Sequence, residues 1–259
     1  MPTTSGDAGR LRLIESPQNG QFKLWEAVLE SRGLKKHGRF ILAGRKTVPE
    51  ALARHPDRFQ AVLVASPQQI AGWHLPPSLE RYQLSRPLFD RLDVSGTGFP
   101  LLVGAVPELV TLDLGQPPRG LEVVVALGDP NNLGALLRSA AAFGVSRVIL
   151  MAEAAHPFHP KCLRAAANAQ FELPLCRGSA WADLNRAAGP VLALDARGDD
   201  LGGFPWPRDM RLVLGEEGQG LPPDLQARRL AIPTTGAVES LNATVAASLA
   251  LFSYFLKSR

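Results

Sequence analysis

The chain has 259 residues, enough for one large domain or two modest ones, and its 46% hydrophobic and 20% charged residues exclude wholesale disorder. The net charge of +4 and the pI of about 9.4 favour an anionic partner without requiring one. Only Cys162 and Cys176 occur as cysteines, which excludes a disulfide scaffold, and we interpret both as small buried hydrophobic residues of a reduced, cytoplasmic protein. We expect neither a secretory leader nor a membrane span, because no apolar run is long enough.

The N-terminal part of the sequence predicts a tail followed by a small α/β domain over residues 11–106. Residues 1–10 are small and polar and predict a disordered tail. FKLWEAVLESRG has apolar residues at helical spacing and predicts one helix that ends at Gly33. RFILAG and QAVLVAS predict short buried strands, and TVPEALARHP predicts a helix that begins at Thr47 with Pro49 in its first turn.

A change of pattern separates this domain from a second one over residues 121–259. Between them, PELVTLDLGQPPRG at residues 107–120 is rich in proline and glycine and predicts a linker. EVVVALGD, SRVILMA, GPVLALDA and MRLVLGEE predict continuous apolar strands, and NNLGALLRSAAAFG predicts a helix that ends at Gly144. Such strands between helices predict a parallel sheet covered on both faces. ESLNATVAASLALFSYFLK predicts a final helix with one apolar face, for the core or a dimer interface, made of Val245, Leu249, Phe252 and Leu256.

Polar and glycine-containing segments follow several strands of the second domain. Ligands of open α/β sheets bind at the carboxyl ends of strands, so a site is expected there. In ALGDPNNLGALLRSAAAFG, either Asn131 or Asn132 can cap the helix, and Gly134 permits a close backbone approach. By itself, Arg138 in this segment is typical of a solvated or ion-paired helix residue.

Two further segments allow both a structural and a ligand-binding interpretation. LVLGEEGQGLP lacks the lysine-serine pair of a phosphate loop and the GxGxxG spacing of a dinucleotide turn. It can wrap a ligand with backbone groups or form a simple tight turn, and Glu217 can pair with an arginine. In AIPTTGAVESLNATVAASLALF, Ser240 and Asn242 stand at the start of the final helix, where helix capping and ligand contact are both favoured.

Taken together, the order and spacing of these segments resemble a known family. Asn132-x-Gly134-x-x-x-Arg138-Ser139-Ala140, then LVLGEEGQGL, then IPTTGAVESLNATVA are similar to the three consecutive motifs of SpoU (TrmH-like) RNA methyltransferases. The resemblance runs from about Glu122 to the C-terminus. SPQNGQFKLWEAVLESRG followed by GRFILAGRKTVPEAL also resembles the substrate-binding domain of the rRNA-type members.

The resemblance implies a fold, a reaction and a set of site residues. The implied fold is a parallel-sheet α/β catalytic domain with a deep C-terminal trefoil knot, an exception to unknotted topology, plus a smaller N-terminal α/β substrate-binding domain. The implied protein is a homodimer through its catalytic domain that uses S-adenosylmethionine to methylate a ribose 2′-hydroxyl of RNA. By analogy, the separate N-terminal domain favours rRNA over tRNA as substrate. Carried over by motif, the catalytic residues are Asn132, Arg138, Glu217, Ser240 and Asn242. The cofactor contacts are Leu194, Asp195, Gly215, Gly220, Ile232 and Leu241.

Arg138 has two conceivable roles in such a reaction. We hypothesise that it clamps the phosphate beside the reacting ribose and stabilises the charge that develops on the oxygen, oriented by Glu217. The alternative role of general base conflicts with a guanidinium that holds its proton at ordinary pH. The sequence also departs from the family pattern. Glu216 replaces a small or amide residue, and Ala166 and Asn168 replace the serine and glycine of Arg-Ala-Ser-x-Gly.

Basic side chains of the first domain are the candidate RNA contacts. Between residues 23 and 46 they outnumber the acidic residues, Glu26 and Glu30, which is typical either of phosphate contact or of a solvated face. In a substrate-binding domain we favour phosphate contact, with affinity that falls steeply as salt rises. The candidates are Lys23, Arg32, Lys35, Lys36, Arg39, Arg45 and Lys46, and the resemblance adds Arg164.

Other interpretations have less support in the sequence. His156-x-x-His159-x-x-Cys162 has the residue types of a metal site, but prolines interrupt it and no second ligand cluster is near in sequence, so we expect no metal. A nicotinamide-dependent dehydrogenase would need GxGxxG. A non-catalytic RNA-binding protein on the same fold would have no use for the retained motif residues. A tRNA 2′-O-methyltransferase is the alternative within the favoured class.

Overall fold

A computed structural model describes residues 10–215, 218 and 220–258 of the chain, and these form two compact units. The first unit contains the chain up to Pro107 together with Phe158–Arg164, and the second contains Glu108–Pro157 and the chain from Ala165. The segment that returns to the first unit is anchored there by a ring contact, because the Phe158 and Phe40 ring centroids are 4.9 Å apart. The sequence analysis divided the chain into consecutive domains and did not predict that Phe158–Arg164 groups with the first unit.

In the first unit, the described residues form a mixed five-stranded sheet with the strand order β1-β4-β3-β5-β2. Strands β1, β4 and β3 run parallel, and β5 is antiparallel to both β3 and β2. The elements in chain order are β1 (Leu11–Ile14), α1 (Gly20–Ala27), α2 (Ser31–His37), β2 (Arg39–Leu42), α3 (Thr47–Arg54), β3 (Phe59–Val64), β4 (Glu80–Leu84), α4 (Arg86–Leu92) and β5 (Leu101–Ala105).

The single helix predicted over FKLWEAVLESRG is wrong, because the chain forms α1 and α2 with a break between them. Gly33 lies inside α2 and does not end a helix. A Cβ atom at Gly33 would lie 1.8 Å from the carbonyl oxygen of Ala27, so only glycine allows α2 to pack against the end of α1. The residue that follows α2 is Gly38, whose φ of +59° is typical of a glycine that terminates a helix. The helix predicted to begin at Thr47 is confirmed.

In the second unit, the described residues form a six-stranded sheet with the order β11-β9-β10-β6-β7-β8, and every neighbouring pair is parallel. The elements in chain order are β6 (Leu121–Val125), α5 (Pro130–Ala142), β7 (Arg147–Leu150), α6 (Pro160–Ala166), β8 (Leu175–Arg177), α7 (Trp181–Leu184), β9 (Val191–Asp200), β10 (Met210–Leu214), β11 (Arg228–Ala231) and α8 (Ala243–Lys257). Of α6, the residues up to Arg164 group with the first unit. The prediction of a parallel α/β sheet is confirmed, although β8 and β11 were not predicted.

The two central strands, β6 and β10, are buried along their whole length. Behind them lies a core of apolar side chains that includes Val124, Ile149, Ala193 and Val213. Strands that are buried on both faces read as continuous apolar runs, which is why the sequence predicted them correctly.

The segment predicted as a linker, residues 107–120, packs on the second unit. Arg211 of β10 is 1% exposed and donates hydrogen bonds to the carbonyl oxygens of Leu114 and Gln116, at 3.2 and 2.7 Å. Its Nε donates to Glu122 of β6 at 2.9 Å, so a buried ion pair joins the segment to two strands. A proline- and glycine-rich composition predicts a segment without regular structure. This segment has little regular structure, and it is nevertheless firmly bonded to the second unit.

Candidate functional site

Four of the predicted site segments follow strands at the carboxyl edge of the parallel sheet. The strand order reverses between β6 and β10, because the chain proceeds from β6 to β7 and β8 on one side, whereas β10, β9 and β11 lie on the other. Ligands of open parallel sheets bind at such a switch point. Gly215 follows β10, Ile232 follows β11, and α5 begins shortly after β6. Leu194 follows the part of β9 that pairs with β10, which ends at Ala193.

The α5 helix is capped by Asp129, so the prediction that Asn131 or Asn132 caps it is wrong. The Asp129 carboxylate accepts hydrogen bonds from the backbone N–H groups of Asn131 and Asn132, at 2.8 and 2.9 Å. Pro130 occupies the first helical position, where its missing N–H costs nothing. Asn132 therefore lies within the first turn of α5, half-buried, with its side chain not used as a cap.

Asn132 meets the start of α8, far away in sequence. Asn242 caps α8, because its Oδ1 accepts from the backbone N–H groups of Thr244 and Val245, at 3.0 and 3.2 Å. The Nδ2 of Asn242 also donates to Oδ1 of Asn132 at 3.4 Å. Thr244 Oγ1 donates to the backbone oxygen of Asn132 at 3.0 Å. The structure thus brings together two of the five predicted catalytic residues, and Thr244, which the sequence analysis missed, bonds to both.

Two of the other three predicted catalytic residues, Arg138 and Ser240, lie in the described part of the chain. Arg138 lies six residues beyond Asn132 on α5, about 9 Å along the helix axis. Its side chain is exposed and makes no ion pair with another described residue. Ser240 is exposed and precedes the Asn242 cap by two residues. Glu217 lies outside the described residues, as does Glu216.

Gly215 and Gly220, at the two ends of the glycine-rich segment after β10, lie close together. A Cβ atom at Gly215 would lie 2.4 Å from both the carbonyl carbon and the oxygen of Gly220. Gly220 has a φ of +74°, in the left-handed region that favours glycine. The ends of the turn therefore touch through backbone atoms, and a side chain at Gly215 would separate them.

The carboxylate of Asp195 lies near the carboxyl edge of the sheet and is bonded to two groups of the chain. Its Oδ1 accepts from the Arg197 backbone N–H at 2.9 Å, and its Oδ2 pairs with the Arg229 guanidinium of β11. The Arg197 N–H, followed by the hydrogen bond and charge of Arg229, lowers the pKa of the Asp195 carboxyl against the opposing effect of burial. The register between β9 and β11 slips here, from Ala193 opposite Arg229 to Asp199 opposite Leu230. Asp195 thus stabilises a bulge in β9, and the sequence analysis missed Arg229.

A model of the SpoU rRNA Methylase family matches residues 121–252, which contain all of these elements of the second unit's sheet edge. The chain belongs to this family.

Individual relatives extend the SpoU match over both units. Ribosomal RNA small subunit methyltransferase G 2 of Syntrophobacter fumaroxidans is 40% identical over 94% of this chain, although the chain spans about half of it, 49%. The 23S rRNA (guanosine(2553)-2′-O)-methyltransferase RlmP of Bacillus subtilis is 29% identical, over 93% of this chain and 98% of that protein. The AdoMet-bound rRNA methyltransferase of Sinorhizobium meliloti has a TM-score of 0.77 at 23% identity, covering 95% of this chain and 98% of that one. This last similarity shows a shared fold.

The departures from the usual SpoU sequence around Ala166 have a conformational explanation. Asn168, where the family pattern has glycine, adopts a φ of +73°. Asparagine is one of the few other residues that tolerate this left-handed region, so the backbone is preserved. Ala167 beside it has a φ of +47°, which is strained for alanine. Ala166, in place of serine, is fully buried.

The basic residues of the first unit are divided between exposed and internally bonded side chains. Lys23, Arg32, Lys35 and Lys36 are exposed, and their acidic neighbour Glu26 pairs instead with Arg91. Two others donate to backbone oxygens: Arg39 Nη1 to Gly38 at 3.1 Å, and Arg45 Nε and Nη2 to Thr97 at 3.3 and 3.0 Å. Lys46 lies 3.8 Å from Glu50, and Arg164 is exposed. The four exposed residues of α1 and α2 are therefore the stronger phosphate-binding candidates.

Two kinds of site are not found in the part of the chain that the structure describes. No three His, Cys, Asp or Glu side chains there are grouped to hold a metal ion. No described helix is long and apolar enough to cross a membrane. Of the two cysteines, Cys162 is buried as predicted, whereas Cys176 is half-buried.

Proposed function

We propose that this protein transfers the methyl group of S-adenosylmethionine to a ribose 2′-hydroxyl of rRNA. The observation that carries the proposal is the junction of Asn132 and Asn242 at the carboxyl edge of the sheet, because it unites the first and third SpoU motifs across 110 residues. The name of the Bacillus subtilis relative supports 2′-O chemistry on 23S rRNA. Since the chain spans about half of the Syntrophobacter fumaroxidans relative, that protein's name is a weaker guide.

Residues at the strand ends fit S-adenosylmethionine through their backbone groups. The Cβ position of Gly215 lies against the Gly220 backbone, whereas the space at the Cβ position of Gly220 is open, which suits a ligand held by main-chain contacts at this turn. We propose that Leu194, Asp195, Ile232 and Leu241 complete this surface, within the C-terminal trefoil knot typical of the family. The Asp195 carboxylate shapes the bulge beside the ligand, since Arg197 and Arg229 already occupy its oxygens. When bound, the cofactor supplies a methyl group activated by the sulfonium charge.

The chain's own contribution to the reaction is alignment and charge stabilisation. A ribose hydroxyl is a poor nucleophile at neutral pH, so its placement in line with the methyl group decides the rate. Asn132, Asn242 and Ser240 stand where they can hold the nucleotide. The exposed guanidinium of Arg138 suits a phosphate clamp that Glu217 orients. Arg138→Lys tests this role: full activity at high pH with unchanged RNA binding would contradict it.

The reaction is tested by incubating the purified chain with labelled S-adenosylmethionine and, separately, with protein-free 23S rRNA, 16S rRNA and total tRNA. We expect labelling of one rRNA, with the methyl group mapped to a ribose 2′-oxygen. Labelling of tRNA alone would establish the tRNA alternative. Calorimetry with S-adenosylmethionine identifies a non-catalytic RNA-binding protein, which would bind RNA but not the cofactor. Mapping of 2′-O-methyl groups in cells with and without the gene then identifies the nucleotide.

We further propose that the chain forms a homodimer through α8. The predicted apolar face of this helix is not part of the core of the chain: Val245, Leu249, Phe252 and Leu256 are 50, 43, 45 and 56% exposed. A contiguous apolar stripe of this kind marks an interface. Leu249→Glu should shift the sedimentation coefficient to that of a monomer. Leu13→Glu, at a residue that is 58% exposed in the first unit, is the matched control and should leave the sedimentation coefficient unchanged.

The first unit is proposed to bind RNA through Lys23, Arg32, Lys35 and Lys36 in the cytoplasm. Each lost phosphate contact should reduce the slope of log affinity against log salt by about 1. Lys35→Ala with Lys36→Ala, which lowers the net charge by two, should therefore weaken binding and flatten its salt dependence. Arg58→Glu changes the charge at another exposed site of the same unit and serves as control. Equal effects of both changes would indicate a general influence of net charge.

A further inference from the structure

Thr244 is a buried residue in the first turn of α8 that bonds to both asparagines of the candidate site. Its side chain is fixed by a hydrogen bond of 3.0 Å from Oγ1 to the backbone oxygen of Asn132. Its backbone N–H donates to Oδ1 of Asn242, also at 3.0 Å. Thr244 is 7% exposed, so water competes little for its hydroxyl. One residue therefore links the backbone of Asn132 to the side chain of Asn242.

The direct contact between the two asparagines is too long to do this alone. Its donor and acceptor are 3.4 Å apart, at the weak end of hydrogen-bond geometry, whereas the Thr244 bond lies at the usual distance. Threonine is also suited to a positional role, because branching at Cβ restricts its first side-chain torsion. A second hydroxyl contact joins α5 and α8 further along, where Ser139 Oγ and Ser248 Oγ are 2.8 Å apart. This second contact docks the same two helices without touching either asparagine. Ser248 Oγ also donates to the backbone oxygen of Thr244 at 2.8 Å, so Ser248→Ala disturbs the Thr244 backbone contact but leaves the Thr244 hydroxyl in place.

We infer that Thr244 is a positioning residue for methyl transfer, which holds Asn132 at the place relative to Asn242 that the aligned nucleotide requires. The inference rests on the proposed function. Since a displacement of about 1 Å in a reacting arrangement can cost a hundredfold in rate, loss of this one hydroxyl has a catalytic consequence beyond stability. Thr244 does not touch the reacting atoms in this role, so it acts only through Asn132.

Three variants separate positioning from helix docking. Thr244→Val keeps the shape and removes the hydroxyl, Thr244→Ser keeps the hydroxyl, and Ser248→Ala removes the second contact between α5 and α8. The measurements are kcat, KM for rRNA, Kd for S-adenosylmethionine and Tm. We expect Thr244→Val to lower kcat about ten- to a hundredfold with KM and Kd unchanged. Thr244→Ser should restore most of kcat, and Ser248→Ala should retain it despite a comparable loss in Tm.

The inference is overturned if Thr244→Val retains the wild-type kcat, if Thr244→Ser fails to rescue it, or if Ser248→Ala lowers it equally. If Thr244→Val does not fold, Thr244→Ala takes its place with the same expectation. A wild-type chain that methylates no RNA refutes the proposed function, and the inference falls with it. An active wild type without the contrast between variants refutes the inference alone.

Discussion

Asn242 acts both as the cap of α8 and as the partner of Asn132, and the substitution Asn242→Asp separates these two roles. The carboxylate keeps an acceptor for the N–H groups of Thr244 and Val245, which now lie 3.0 and 3.2 Å from Oδ1. It loses the Nδ2 donor and places a second oxygen opposite Oδ1 of Asn132, now 3.4 Å from that donor. The Asn132 amide must then move away or rotate by half a turn, which presents the wrong atom to a ligand.

The expected stability change follows from these contacts. Asn242→Ala, which removes both the cap and the hydrogen bond to Asn132, should lower the free energy of unfolding by about 1.5–2.5 kcal/mol. Aspartate retains the cap, and its charge at the helix N-terminus contributes about 0.3–1 kcal/mol. The lost hydrogen bond to Asn132 costs about 0.5–1.5 kcal/mol, so Asn242→Asp should remain within about 1 kcal/mol of the wild type. Its rate of methyl transfer should nevertheless fall about ten- to a hundredfold, because the amide of Asn132 is misplaced.

The assay compares both variants with the wild type in urea unfolding and in methyl transfer at saturating substrates. The reasoning predicts a variant, Asn242→Asp, that is nearly as stable as the wild type and far less active. It is refuted if Asn242→Asp is as active as the wild type. It is also refuted if Asn242→Asp is destabilised as much as Asn242→Ala, since the cap would then not have survived.

Three further predictions concern stability. Arg211→Met leaves Glu122 buried without its principal partner and should lower the free energy of unfolding in urea by about 3–5 kcal/mol. Adding Glu122→Gln should recover part of this loss. A loss under about 1 kcal/mol would contradict the buried network. Because the folded pKa of Asp195 lies below 3.8, its ionised form stabilises the fold above that pH and the contribution is lost as pH falls through the lowered value. Asp195→Asn should therefore lower Tm at neutral pH, and the difference should shrink in acid; a pH-independent difference would refute this. Ala167→Gly should stabilise the fold by roughly 0.5–1 kcal/mol, because glycine adopts a positive φ without strain. The control, Ala246→Gly within α8, should destabilise the fold by about 1 kcal/mol. A stability change of the same sign in both variants would count against strain at Ala167.

The elements that the sequence predicted well are those whose burial produces a long, recognisable apolar pattern in the sequence. β6 and β10 are buried on both faces and appear as uninterrupted apolar runs. β8 and β11 escaped prediction for the opposite reason. β8 has three residues, and β11 has the sequence RRLA, whose arginines are partly or fully exposed at the sheet edge. Such strands are defined by their neighbours in the sheet, and a single sequence does not show those neighbours.

Attachment between distant segments was the second kind of feature that the sequence could not show. Residues 107–120 have the composition of a linker, yet three of the acceptors that Arg211 uses are backbone oxygens, two of them in this segment. Backbone acceptors are the same for every residue type, so no composition reveals that a particular carbonyl is bonded. The return of Phe158–Arg164 to the first unit is hidden for a similar reason, because its anchor is a ring contact between residues 118 positions apart.

The family was recognised from motif order, but the arrangement of the candidate site depends on which residue caps each helix. A sequence with aspartate, proline and two asparagines in a row offers several caps for α5, and Asp129 is the one that the structure uses. Because Asp129 satisfies the backbone N–H groups, the side chain of Asn132 is released from capping and can meet α8. At α8 the cap and the contact coincide in Asn242, which has both an acceptor and a donor. Capping and contact with Asn132 are therefore not alternatives at Asn242: the hydrogen bonds that fix the helix also fix the direction of the donor that reaches Asn132.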